Sequence, residues 1–297
     1  MSEMVKASDQ VNSVLSDGRV AWVVALMPEA KAVIRHFSLK KIKTASLFPI
    51  YQSGDQRVSL VVSGMGKIQS AAAVISLFHE LDEAKGVAWI NFGIAGHRDR
   101  ELGELRWVNK LQDAGSEQKW YPPRLYRTGK RLASALLTVD QPGDYPAGDT
   151  LVDMEASGFY TMASRLSTRE LVQCVKLVSD NAQQSWRDLD KGQVGRWVEQ
   201  HMVSLVDFSD EMMSLSAQER SRCAPPAGLA EVLQEWRFSE TERHQLHKIL
   251  RRWQAMSVED TAVAICVRNG VKSSAEALKV LQQELIFCGD EAIVARR

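Results

Sequence analysis

Asp153-Met154-Glu155-Ala156-Ser157-Gly158 and Lys176-Leu177-Val178-Ser179-Asp180-Asn181 are the two stretches on which the reading of this chain turns. The second closes the apolar run 171–179, whose length and composition fit a strand buried on both faces. Asp180 ends that run, where an unpaired charge would be costly. The first sets Asp153 and Glu155 at the head of an apolar helical segment, 154–166. Outward from these, 20–27, 58–63 and 87–91 are further short apolar runs, each followed within two residues by Pro or Gly, and 103–108 reads as a fourth strand. Pro28 suits the first turn of a helix running through Glu29 to about residue 37, because that turn needs no backbone donor. Residues 68–81 are Ala-rich and apolar at helical spacing, and 192–206 reads as an amphipathic helix. Strands alternating with helices predict an α/β fold, a mainly parallel or mixed central sheet flanked by helices.

The chain has 297 residues, 45% hydrophobic and 25% charged, enough for one large domain and a smaller one. Its formal net charge is zero, so no global field draws it to nucleic acid or a membrane surface. No apolar run approaches the ~18 residues of a membrane span. Cys174, Cys223, Cys266 and Cys288 form no CxxC pair, which predicts reduced, mostly buried thiols. The first 16 residues lack the basic-then-apolar order of a signal peptide, and a soluble cytoplasmic protein is expected.

Three parts are expected: a polar segment 1–17, an α/β domain 18–209 and a helical C-terminal module 210–297. The polar stretch 208–226, ending in Pro225-Pro226, reads as a linker. Beyond it four helices are expected, near 227–237, 239–255, 257–269 and 273–287, with Ser239 and Ser257 as N-caps and Gly270 and Gly289 as stops. Their shared core would draw on Leu229, Val232, Leu233 and Trp236, then Leu246, Ile249, Leu250 and Trp253, then Val263, Ile265 and Val267, then Leu278, Leu281, Leu285 and Ile286. So small a core predicts docking on the larger domain, a homodimer contact or a partner protein.

Several residues have the chemistry of a site. Glu29 stands just past the first strand, where ligand sites of open α/β sheets gather, although a first-turn Glu favoured by the helix dipole is the plainer reading of it alone. Ser63-Gly64-Met65-Gly66-Lys67 follows the second strand, and Asn91-Phe92-Gly93-Ile94-Ala95-Gly96 the third. Glycines at such turns let backbone N–H groups approach an anion or a polar ligand. A carboxylate such as Glu155 offers four lone-pair positions and can hold two hydroxyls at once. Lys176, four residues before Asp180, fits a basic group near the site or a solvent-facing Lys equally well.

Taken in this order, the motifs resemble the nucleoside phosphorylase/nucleosidase superfamily, and most of all its methylthioadenosine/S-adenosylhomocysteine nucleosidases, over residues 18–209. The resemblance implies hydrolysis of an N-glycosidic bond in a purine nucleoside, with no cofactor. It implies that Glu29 activates water, Met154 packs on the sugar, Glu155 accepts from the ribose hydroxyls, and Asp180 protonates the departing base. Ser63, Gly64, Gly66, Lys67, Asn91, Gly93 and Lys176 would complete the substrate site. Phosphorylases of the hexameric type carry an Arg and a Ser where this chain has Asn91 and Ile94, which favours water over phosphate as the nucleophile. Residues 139–152 depart from the family: they are short and Pro/Gly-rich, and Tyr145 or Phe159 would have to supply any aromatic stacking on the base. Methylthioadenosine, S-adenosylhomocysteine and a futalosine-like nucleoside all stay open as substrates. A nucleoside-binding protein with little catalysis is the alternative of another class.

The tail offers two weaker signals. His244 and His247 lack a third metal ligand at compatible spacing, so no metal is expected. Arg243, Lys248, Arg251 and Arg252 are diluted by Glu231, Glu235, Glu240 and Glu242, so a solvated face rather than nucleic-acid binding is expected.

Overall fold

A computed structural model of the chain describes residues 17–81, 85–124, 131–143, 145–256 and 261–294. The polar segment expected over 1–17 lies outside them except for Asp17, as does the expected N-cap Ser257. The chain divides after Arg222 into two compact units.

The first unit is a mixed sheet with helices on both faces. Strand β1 (Val20–Val24) leads into helix α1 (Met27–His36), and β2 (Lys40–Lys41), β3 (Ile50–Gln52) and β4 (Val58–Val62) follow. Helix α2 (Lys67–Glu80) precedes β5 (Ala88–Gly96), β6 (Leu105–Asp113), β7 (Lys119–Trp120), β8 (Ala133–Thr138) and β9 (Thr150–Asp153). Helix α3 (Ala156–Leu166), β10 (Val172–Asp180), α4 (Lys191–Gln200) and α5 (Met202–Cys223) complete it.

Strand β5 pairs in parallel with β1 on one side and β10 on the other. From β10 the hydrogen bonds pass to β6, then β8, then β9. Strand β9 returns to β5 through one pair, Gly96 and Val152, so five strands close into a ring. Strands β1, β4, β3 and β2 continue outward from β5 as an open wing.

The core follows the two-residue period of the strands. Val20, Trp22 and Val24 of β1 face one layer, shared with α1, α4 and α5, while Ala21 and Val23 face another, shared with α2 and α3. This is why β1 is apolar at every position.

Two expectations are corrected here. The stretch 208–226 is not a linker, because α5 runs unbroken to Cys223. Its Leu205, Phe208, Met212, Met213 and Ala217 recur at helical spacing and are buried, a stripe obscured in the sequence by intervening Ser, Asp and Glu. The helix expected from residue 154 begins at Ala156 instead, because 150–153 pair with β8 as strand β9. Asp153 closes that strand and caps the helix, accepting the Ala156 N–H at 2.8 Å.

The second unit holds α6 (Leu229–Glu235), α7 (Glu240–Ala255), α8 (Ala262–Arg268) and α9 (Ser274–Val294). Val232, Leu246, Leu250, Trp253, Ile265, Cys266 and Leu281 are central to its core. Ser239 and Glu242 cap α7 reciprocally, as S/T-x-x-E patterns do. Val267 and Ile286, expected in the core, face solvent. The buried stripe of α8 is Ala262, Ile265 and Cys266, and that of α9 is Ala277, Leu278, Leu281 and Leu285; each misplaced residue falls one position past its stripe. Helix α9 also continues through Gly289 rather than stopping there. Among the described residues no helix is long and apolar enough to cross a membrane, and no group of three or more His, Cys, Asp or Glu is arranged to hold a metal.

Candidate active site

Parallel strands β1, β5 and β10 end side by side, and acids gather there from the helix after β1, the end of β10 and the turn after β9. Glu29 lies in the first turn of α1, 1% exposed. Its Oε2 accepts the Leu26 N–H at 2.7 Å and its Oε1 accepts the Ile94 N–H at 3.0 Å, tying the end of β1 to the end of β5. Burial pushes its pKa up to about 7, against the pull of those two N–H groups and of the Lys176 charge.

Glu155 occupies the turn between β9 and α3. Its Oε1 accepts the Gly66 N–H at 2.8 Å, and Gly66 sits at φ +102°, a conformation L side chains rarely adopt. The glycine turn after β4 thus anchors the acid after β9. Burial, and then the negative Asp153 beside it, hold the Glu155 carboxyl above the usual range, with Lys176 drawing it back.

Behind these lies a fully enclosed ion pair. Lys176 Nζ is 2.8 Å from Asp153 Oδ2, with both side chains at most 1% exposed. Thr138 donates its hydroxyl to the other Asp153 oxygen at 2.7 Å. Burial works against the Lys176 charge, but Asp153 and then Glu155 outweigh it and keep the ammonium above the usual lysine range. Gly93 lies against this pair and Glu29: a Cβ there would be 3.4 Å from Glu29 Oε1 and 3.6 Å from Lys176 Nζ.

Asp180, at the end of β10, receives two hydroxyls, Ser179 on Oδ1 and Tyr145 on Oδ2, the latter at 2.6 Å. Glu29, Met154, Glu155 and Asp180 line one cavity of about 280 Å³, with Met65, Ile94, Tyr145, Val152 and Trp186 among its apolar walls. That volume is near the lower end of small-ligand pockets, ~300 Å³ and above.

The predicted residues therefore separate into three groups. The four just named reach the cavity, while Gly66, Gly93 and Lys176 support it from behind. Ser63, Gly64, Lys67 and Asn91 are not on its wall. Ser63 donates its hydroxyl to the Gly64 carbonyl at 2.8 Å, and Asn91 donates its amide to the Val23 carbonyl at 3.2 Å. Lys67 turns to Asp113 at 3.1 Å and Asp140 at 2.9 Å. Phe159 is fully buried in the core and has no face to offer a base. Trp186, half-exposed at the cavity rim in a short turn after β10, had no sequence motif to mark it.

Lys67 is a tether for the segment that carries Tyr145. The far end of that segment is held by Asp149, which accepts from Ser134 and pairs with Arg100. Lys67→Met is expected to speed amide hydrogen exchange between Asp140 and Asp149 several-fold while leaving exchange in β1 and β5 unchanged. Equal protection of the segment in both proteins would show that the tether holds nothing.

No protein-family profile and no curated protein matches the sequence. Solved structures do match. The 5′-methylthioadenosine nucleosidase of Arabidopsis thaliana in apo form aligns with a TM-score of 0.51 at 16% identity, covering 65% of this chain and 96% of its own. An MTA/SAH nucleosidase aligns with a TM-score of 0.54 at 14% identity, with the same coverage. These alignments give one conclusion: over about two thirds of its length the chain carries the nucleoside phosphorylase/nucleosidase fold.

Proposed function

We propose that the first unit hydrolyses the N-glycosidic bond of a purine nucleoside or a nucleoside-like metabolite. The observation that carries this reading is the convergence of Glu29, Glu155 and Asp180 on one apolar-walled cavity. The three acids suit different tasks. Glu29 has a spare lone pair on each oxygen and a pKa near 7, as a general base should. It takes a proton from water as the water oxygen bonds to C1′. Glu155, held by one backbone N–H from the glycine turn, accepts the ribose hydroxyls. Met154 packs on the sugar. Asp180 passes a proton to the base as the C1′–N bond breaks, so that the base leaves neutral.

Hydrolysis is favoured over phosphorolysis by charge. Among the described residues, no Lys, Arg or His lines the cavity to hold a phosphate, and the Ile94 N–H is already given to Glu29. The deciding assay follows base release from methylthioadenosine, S-adenosylhomocysteine, adenosine, inosine and futalosine, with and without phosphate. Release without phosphate is expected, and a strict phosphate requirement would overturn the hydrolase reading. Asp180→Asn is expected to lower kcat about 10²-fold with the melting temperature little changed. Undiminished turnover in that variant would remove Asp180 from the mechanism.

A further inference from the structure

We propose that Tyr145 is a positioning residue for Asp180: its hydroxyl holds one carboxylate oxygen and stabilises the carboxylate that forms as the proton leaves for the base. The proposal rests on the glycosidase reading above, but its physical core does not depend on turnover.

Three observations carry it. Tyr145 donates to Asp180 Oδ2 at 2.6 Å from a segment 35 residues away in sequence. Gly96, at the end of β5, is the residue that makes room for this contact. A Cβ there would be 2.6 Å from both Asp180 Oδ2 and Tyr145 Cε1, closer than real Cβ atoms come. The segment is also fastened on both sides of the tyrosine, Asp140 to Lys67 and Asp149 to Arg100. Gly96 makes room for the ring, and the hydroxyl contact is what a tyrosine that merely filled space would not need.

The chemistry follows. Asp180 gives up its proton to a ring nitrogen of the base, and the bonding pair of C1′–N goes to the base. The new carboxylate keeps its hydrogen bonds from Tyr145 and Ser179, and Tyr145 retains its own proton. Solvent reprotonates Asp180 for the next turnover. A donor hydrogen-bonded to the charged form stabilises the carboxylate as the proton departs. Of the other ionisable groups, Glu29 on α1 and Asp153 and Glu155 at the β9–α3 turn share its cavity. His97 follows Gly96, with its ring turned to Asp149 at 3.5 Å. Removing the Tyr145 hydroxyl leaves all of these in place.

The test compares wild type with Tyr145→Phe, which keeps the ring. The Asp180 carboxyl is followed by ¹³C NMR of Asp-labelled protein, its signal identified by its loss in Asp180→Asn. Loss of the hydroxyl donor is expected to move that carboxyl signal at fixed pH while the other Asp signals stay in place. In turnover, kcat is expected to fall about tenfold while KM stays within about threefold. An unmoved carboxyl signal overturns the proposal, as does a raised KM with an unchanged kcat, which would make Tyr145 only part of the wall. A moved signal in a protein that cleaves no nucleoside would support the Tyr145–Asp180 coupling while sinking the glycosidase reading.

Discussion

Glu29→Gln is expected to lower turnover about 10³-fold or more at pH 8, at the upper end of what a general base contributes, because no second acid on the cavity wall touches both Leu26 and Ile94. In the unmodified protein the same group should give an ascending limb in the pH–rate profile, with its midpoint near 7, where burial sets the Glu29 pKa. Stability should respond in the opposite sense. The folded-state value is raised above the ordinary 4.5, so the folded chain binds the proton more tightly than the unfolded chain does. That contribution is complete below about 4.5 and is lost as pH rises to about 7. Glutamine carries no such loss. The melting temperature of Glu29→Gln relative to wild type should therefore climb between those two pH values, even as activity disappears. A difference that stays flat with pH would show that Glu29 is not buried as a titrating acid.

Lys176→Met is expected to destabilise the first unit by about 3–5 kcal/mol in urea denaturation. It leaves Asp153 as an uncompensated charge with no water to turn to, since neither side chain of the pair is more than 1% exposed. Adding Asp153→Asn to that variant should restore a good part of the loss. Asn is neutral and can still accept from Thr138 or the Ala156 N–H, both of which now bond to Asp153. A double variant no more stable than Lys176→Met would mean that the cost comes from packing around the lysine stem and not from the stranded carboxylate.

The positions of Glu29, Glu155 and Asp180 were legible because each follows an apolar run or opens a helix, and local punctuation marks such places. The arrangement around them was less so. Strand β8, with every second residue half-buried, and the four-residue β9 lie among Pro and Gly residues, and neither carries a continuous apolar signal. Without them the closed ring is invisible, and so is the route by which Tyr145 arrives at Asp180. Lys67 shows the limit of motif reading: the glycine turn that precedes it does serve the site, through the Gly66 N–H, while the lysine's partners Asp113 and Asp140 are long-range in sequence. Helix α5 was hidden because its buried face includes Ser209 and Ser216, so hydrophobicity alone under-counts the stripe.

The ring also has a bearing on solubility. A strand paired on both sides offers no free ladder to a neighbouring molecule, so strand-to-strand stacking is a hazard of edge strands, and the free end of the wing is one such edge. There the outermost strand, β2, is two residues long, and both are exposed lysines, Lys40 and Lys41. Two copies meeting edge to edge at this point would bring four ammonium groups together along a ladder too short to compensate for their repulsion. That edge of the sheet is thus guarded by charge against strand addition.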